Sequence, residues 1–252
     1  SFDLIIDDIV ESVQKQKLYN YINKWIQNKI NLVLKSLIDL KNLKDKNSSI
    51  KALAYQLYEN NGVLKREQVS EYLKSLGQNE RKILRDLGVK FGRFHVFLYQ
   101  LIKPDAVSLR TLLWKNFHQK YYNIQPPTFG LNFLDDKDHK NKNFMLLCGF
   151  EKFDTMFVRI DILERLFVLI INSSDPKENK EIKMMPEMLN LLGCSKDNFK
   201  KLLQKMNYKV FEKAEDTFFK YSPIKKFKKT PSKKISDENP FKVLRNLNLG
   251  KS

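Results

Sequence analysis

The sequence predicts a mainly α fold of the α+β class: a helical bundle with a short β segment, a winged-helix-like module and a basic tail. Three observations predict it. Apolar residues recur at spacings of three and four over most of the chain, the period of a helix with one buried face. Glycines at 62, 77 and 88 punctuate those stripes at short intervals. Residue-by-residue alternation is confined to short runs, chiefly 89–99, 208–212 and 217–221. The expected divisions are a helical bundle at 1–120 containing a strand at 89–99, a linker with a short strand at 121–156, the winged-helix-like module at 157–222 and the tail at 223–252.

Taken in order, residues 2–11 read as a strand or the edge of an earlier domain. Leu18, Ile22, Trp25, Ile26, Ile30, Val33, Leu34, Leu37 and Ile38 form one stripe. This predicts a single core-facing helix rather than a membrane-lying one, because its polar face is not uniformly basic. Ser48 or Ser49 is placed to cap a helix whose stripe is Ile50, Leu53, Ala54, Leu57 and Tyr58, with Gly62 as its stop. Val69, Tyr72, Leu73 and Leu76 precede a stop at Gly77, and Ile83, Leu84 and Leu87 precede one at Gly88. Within the strand 89–99, Gly92 marks a bulge or a close approach of another backbone. Pro104 opens a helix with Ala106, Leu109, Leu113 and Phe117 inward. Residues 121–143, with Pro126-Pro127 and Gly130, read as a linker or long loop. Phe144–Phe150 and Phe157–Ile160 read as strands. Asp161 and Glu164 have capping-box spacing at the head of the next helix. Pro186 opens another helix, Ser195 caps a third, and 208–221 is a hairpin. Helix, helix, turn, helix, hairpin is a winged-helix order.

The net charge is +17, from 46 Lys and Arg against 29 Asp and Glu. That excess points to a polyanion partner, nucleic acid first. The chain carries 38 Lys and only 8 Arg, as an AT-rich coding sequence produces, which makes the arginines the more informative cations. Cys148 and Cys194 lack CxxC spacing, which fits a reduced, cytoplasmic protein without a metal site. No apolar run approaches the roughly 18 residues of a membrane span, so no membrane partner is expected. The chain opens Ser1-Phe2-Asp3 without Met, as expected of a piece of a longer polypeptide.

No catalytic constellation is complete in the sequence. None of the glycines has the Walker spacing that cradles phosphates. Asp237-Glu238 lies in the basic tail. His95, His118 and His139 are isolated in sequence, and His95 reads as a half-buried strand residue before it reads as a catalyst. No active site and no cofactor are expected on this chain.

The stretch RKILRDLGVKFGRFHVFLYQLIKPDAVSLRTLLW (81–114) resembles the C-terminal region of alphaproteobacterial superfamily-2 helicases, relatives of the ATP-dependent RNA helicase of the mitochondrial degradosome. ALAYQLYENNGVLKRE (52–67), VRIDILERL (158–166), MPEMLNLLGCS (185–195) and NPFKVLRNL near the end support the likeness, which covers most of 15–250. The resemblance implies an accessory region packed on two preceding RecA-like motor domains, which carry the ATP and Mg sites and the DExH motif. Those motifs are not on this chain. Single-stranded RNA or DNA, the motor domains and an exoribonuclease are the implied partners.

The residues expected to meet a strand are Arg81, Arg85, Arg93 and Arg110 at the 81–117 junction. Lys200, Lys201 and Lys205 follow on the third helix of the module, with Phe218 and Phe219 on the hairpin. Lys225, Lys226, Lys228 and Lys229 complete the set in the tail. Two other readings stand beside this one: a stand-alone winged-helix nucleic-acid-binding protein, and a structural brace docking the motor to a partner.

Overall fold

The computed structural model of the chain describes residues 12–43, 48–136, 140–173, 181–214 and 216–222. The expected strand at 2–11 and the basic tail with Lys225, Lys226, Lys228 and Lys229 lie outside the described residues. The fold is mainly helical with small sheets, the class the sequence predicts.

One chain order recurs three times. The first unit runs α3 (Ser48–Glu59), β1 (Val63–Lys65), α4 (Ser70–Ser75), α5 (Gln78–Asp86), β2 (Val89–Phe91) and β3 (His95–Leu98). The second runs α6 (Pro104–Phe117), β4 (Phe133–Asp135), α7 (Lys142–Leu147), β5 (Phe150–Phe153) and β6 (Met156–Arg159). The third runs α8 (Ile160–Asn172), β7 (Ile182–Lys183), α9 (Pro186–Leu192), α10 (Lys196–Lys205), β8 (Tyr208–Lys213) and β9 (Asp216–Tyr221). Ahead of them lie α1 (Ser12–Val33) and α2 (Lys35–Lys41). Each unit closes a three-stranded antiparallel sheet in the order first, third, second. The last two strands form a hairpin, and the first strand pairs with the hairpin's far arm. Only the third unit is foreseen from the sequence.

Short strands explain why. β1 and β2 are three residues each, too brief to show a period of two. Gly62 and Gly88 do end helices, but at φ of 81° and 92° they also turn the chain straight into those strands. The run 89–99 is therefore two arms of a hairpin rather than one strand, bent at Gly92–Phe94, with Phe91 opposite Val96. The 144–150 run, expected as a strand, is helical through Leu147. Asn141 caps it by accepting the Phe144 amide at 3.0 Å, and Phe144, Met145, Leu147 and Cys148 turn one face inward. The supposed linker thus holds a sheet and a core of its own, Val107, Phe144, Met145, Cys148, Phe150 and Phe157.

Two helices turn differently from their stripes. The stripe from Leu18 to Ile38 is broken at Leu34. α2 buries Leu37 and Leu40, whereas no residue of α1 is fully buried and Trp25 is 59% exposed. In α6 the buried face is Ala106, Val107, Arg110 and Thr111, while Leu113 and Phe117 face out. Arg110 decides that rotation. Its guanidinium donates to Leu101 O at 3.0 Å and to Asn61 O at 2.5 Å, which ties the helix to the loops on either side of the first sheet and satisfies the buried cation.

The three units meet at Val63 and Phe97 of the first, Leu146 of the second and Ile160 of the third. Phe97 is 3% exposed at this junction, so Phe97→Ala is expected to cost about 3–5 kcal/mol. Phe117→Ala, at a ring 84% exposed, should change stability by less than about 0.5 kcal/mol. Urea denaturation of the two variants checks the contrast.

Candidate nucleic-acid interface

Register builds the most ordered charged cluster. Lys65 and His95 are cross-strand partners in the first sheet, so both side chains leave the same face. That face meets the second sheet at Glu151, a β5 residue only 4% exposed. Lys65 Nζ lies 2.6 Å from one Glu151 oxygen and His95 Nε2 3.1 Å from the other. Glu164, in the second turn of α8, completes the cluster. Its carboxylate accepts the backbone N–H groups of Arg93 at 2.5 Å and of Phe94 and His95 at 2.9 Å. It also faces His95 Nδ1 at 3.6 Å, an ionic rather than hydrogen-bonding distance. Gly92 is required here, because a Cβ would collide with that carboxylate. The close approach anticipated at Gly92 is real, but it is by a side chain rather than a backbone. From the other side Arg66 Nη1 donates to Gly92 O at 2.7 Å, and its amide donates to Phe94 O at 2.8 Å.

Glu164 therefore caps no helix of its own. Asp161, its expected capping partner, instead takes the Arg159 guanidinium through bonds of 2.7 and 3.0 Å. Sequence reasoning missed this cluster because its contacts join residues 56 to 86 positions apart along the chain.

Burial opposes charge on all three central groups. For His95 burial works to lower the pKa, but the Glu151 and Glu164 carboxylates more than offset it, and the net shift is upward from 6.5. Burial would raise Glu151 and Glu164, yet His95, Lys65 and the three amides hold both below 4.5. His95 at 2% exposure is too enclosed to meet a substrate. Burial also lifts the Cys148 thiol to about 12 and the Cys194 thiol to about 11, which keeps both protonated and poorly nucleophilic. Among the described residues no group of three or more His, Cys, Asp or Glu is set to hold a metal ion. This chemistry braces a junction.

The expected contact residues divide sharply by position. Arg110 is 4% exposed and held by carbonyls; it cannot reach a strand. Burial lowers its pKa to about 10. Phe219 is fully buried, stacked edge-on against Phe199 and Tyr208. Arg81 is committed to the C-terminal end of α4, donating to Leu73 O at 2.6 Å and Leu76 O at 3.2 Å. Lys200 pairs with Glu212 and Lys205 with Asp154, each at 2.8 Å, in exposed contacts that water screens. Lys201 is exposed on α10.

The remaining cations meet ring faces. Arg85 lies 5.7 Å over Phe91, and Arg93 lies 5.6 Å over Phe167. On the third hairpin Phe218 stacks with Phe211 at 6.3 Å and 15°, with the Lys213 ammonium over both rings. Phe91, Phe167, Phe211 and Lys213 were not singled out from the sequence. Strand alternation alone separates Phe218 from Phe219: one must face out if the other faces in.

Comparison with protein-family models, characterised proteins and solved structures finds no match to this chain. No helix among the described residues is long and apolar enough to cross a membrane.

The linkage of the buried cluster has a definite sign. The stability contributed by His95 is complete below pH 6.5 and is lost as pH rises through its higher folded value. That from Glu151 and Glu164 is complete above pH 4.5 and is lost as pH falls through their lower folded values. His95→Gln should lower stability near pH 6 by about 1.5–3 kcal/mol, the worth of a hydrogen bond to a charged group. It should also flatten the decline between about pH 6 and pH 9. Urea midpoints of wild type and variant at the two pH values measure both effects.

Proposed function

We propose that this chain is an accessory, nucleic-acid-contacting region of an ATP-dependent helicase whose motor domains lie elsewhere. The observation that carries the nucleic-acid part is the turn at 92–95. Arg93 projects from a turn whose amides are held by Glu164 and whose carbonyls are held by Arg66. Its guanidinium stays exposed over Phe167, between the first and third units. A cation held on so rigid a turn loses little freedom when it meets a phosphate. Arg85 over Phe91 and Lys213 over Phe211 and Phe218 repeat the pairing of a cation with a ring, the combination that follows a single strand without reading its sequence. The net charge of +17 supports the same reading.

The helicase part rests on the likeness of 81–114 and its supporting stretches. A stand-alone winged-helix DNA-binding protein is the second reading. The thrice-repeated helix–strand–helix–hairpin order favours it, since such units present a helix and a wing to a duplex. A preference for duplex over single strand in competition would select it.

Titration with labelled single-stranded RNA at low and moderate salt is the direct test. Binding should weaken with salt, and Arg85→Gln with Arg93→Gln should flatten log K against log[salt] by about 1.4, at roughly 0.7 per phosphate contact. Absence of binding at low salt would remove the proposal. The chain by itself should hydrolyse no ATP, with or without RNA, because the Walker spacing is missing from its sequence. Phosphate release above background would contradict this.

A further inference from the structure

The C-terminal end of α6 carries a second aromatic surface, apart in sequence from Arg85, Arg93 and the third hairpin. Trp114 is anchored from below by the fully buried Phe144, with ring centres 5.2 Å apart. Above it, Tyr121 stacks at 5.4 Å and 26°, and His118 lies at 4.5 Å. Phe117 stands edge-on to His118 at 4.9 Å and 86°, and is 84% exposed. The arrangement is held by backbone bonds: His118 N–H to Trp114 O and Tyr121 N–H to His118 O, both 2.9 Å. The Lys120 ammonium sits 4.8 Å over the Tyr121 ring, and Lys115 lies on the same last turn of α6. From Ala106 to Leu134 the chain contains no Asp or Glu.

We propose that Trp114, Phe117, His118 and Tyr121 form a base-stacking subsite for single-stranded nucleic acid, with Lys115 and Lys120 meeting the phosphates on either side. It rests on the nucleic-acid reading above and extends it to a second point of contact. Phe117 is the exposed ring, open for a base to stack on, and the half-buried Trp114, His118 and Tyr121 rings back it as a fixed aromatic wall. The segment itself supplies no carboxylate to repel a phosphate. A protein partner is the rival occupant, since Leu112 and Leu113 on the same helix are 54% and 40% exposed. The ring stack and the cation over it favour the nucleobase, because an apolar protein face would be matched by the leucines alone.

The chain's two tryptophans make the test direct. Trp25 is exposed on α1, so Trp25→Phe leaves Trp114 as the sole tryptophan without disturbing the core, read by excitation beyond the absorption of the ten tyrosines. In this background a short oligo(U) should quench Trp114 emission, and an abasic oligonucleotide of equal length should not. Phe117→Ala should weaken oligo(U) binding about fivefold or more, the lower end of what one stacked base contributes. Its affinity for the abasic strand should stay unchanged. If oligo(U) binds the wild-type chain, as read by anisotropy of a labelled strand, but neither quenches Trp114 nor responds to Phe117→Ala, the subsite is overturned and the Arg85–Arg93 surface stands. Equal quenching by the abasic strand would also overturn it, since phosphates alone would then account for the signal. If the wild-type chain binds no strand at low salt, the nucleic-acid reading itself fails and the subsite with it.

Discussion

The carboxylate of Glu164 fixes how the first and third units meet. It begins on α8, reaches into the hairpin of the first unit and takes three successive amide groups, Arg93, Phe94 and His95. Those amides sit at the bend from β2 into β3, where the carboxylate rather than a neighbouring strand is their acceptor. A buried N–H without an acceptor costs about 1–3 kcal/mol. The carboxylate meets that need and in return gains donors that keep it ionised while half-buried. His95 then lies between Glu164 and Glu151, and Lys65 closes the second carboxylate. All three units thus share one balanced set of charges.

Such a set has little surplus stability to offer, because the cost of desolvating the ions consumes much of their attraction. What it offers is register. A hydrophobic contact such as Phe97 against Ile160 would tolerate a small slip, but three amides on one carboxylate would not. The turn that carries Arg93 is fixed to within a hydrogen bond's tolerance as a consequence. The placement of the Arg93 cation and the charges that hold the fold are connected here through a single backbone segment.

Repetition of one topology is the second organising feature. Each unit protects one side of its hairpin by pairing it with the short strand that follows the first helix. The free edges stay two to six residues long, which limits edge-to-edge association. The hairpins differ in what they present. The first carries Arg93 at its bend, and the third carries the Phe211–Phe218 pair under Lys213. The three scaffolds are similar while their tips differ in the charges and rings they carry.

Much of the helical content is legible in the linear pattern, because a helix buries a face its own sequence writes every three or four residues. Pro104, Pro186, Ser195 and the third unit's hairpin fall where the pattern puts them. Three-residue strands leave no period to read, so two of the three sheets emerge only when their edges pair across the fold. The same limit governs the site. Sequence marks Arg110 and Phe219 as cation and aromatic, but it cannot say that two backbone carbonyls hold Arg110 inward or that β9 turns Phe219 into the core. It marks Glu164 as a helix cap because spacing within the chain is all it has. By itself the sequence determined composition, charge, helix class and the parity of the long strands, which depend on neighbours a few residues away. The tertiary structure alone decided which cations remain at the surface and which carboxylate holds the units together, because a buried polar group takes its partner from wherever in the chain the fold brings one within 3 Å.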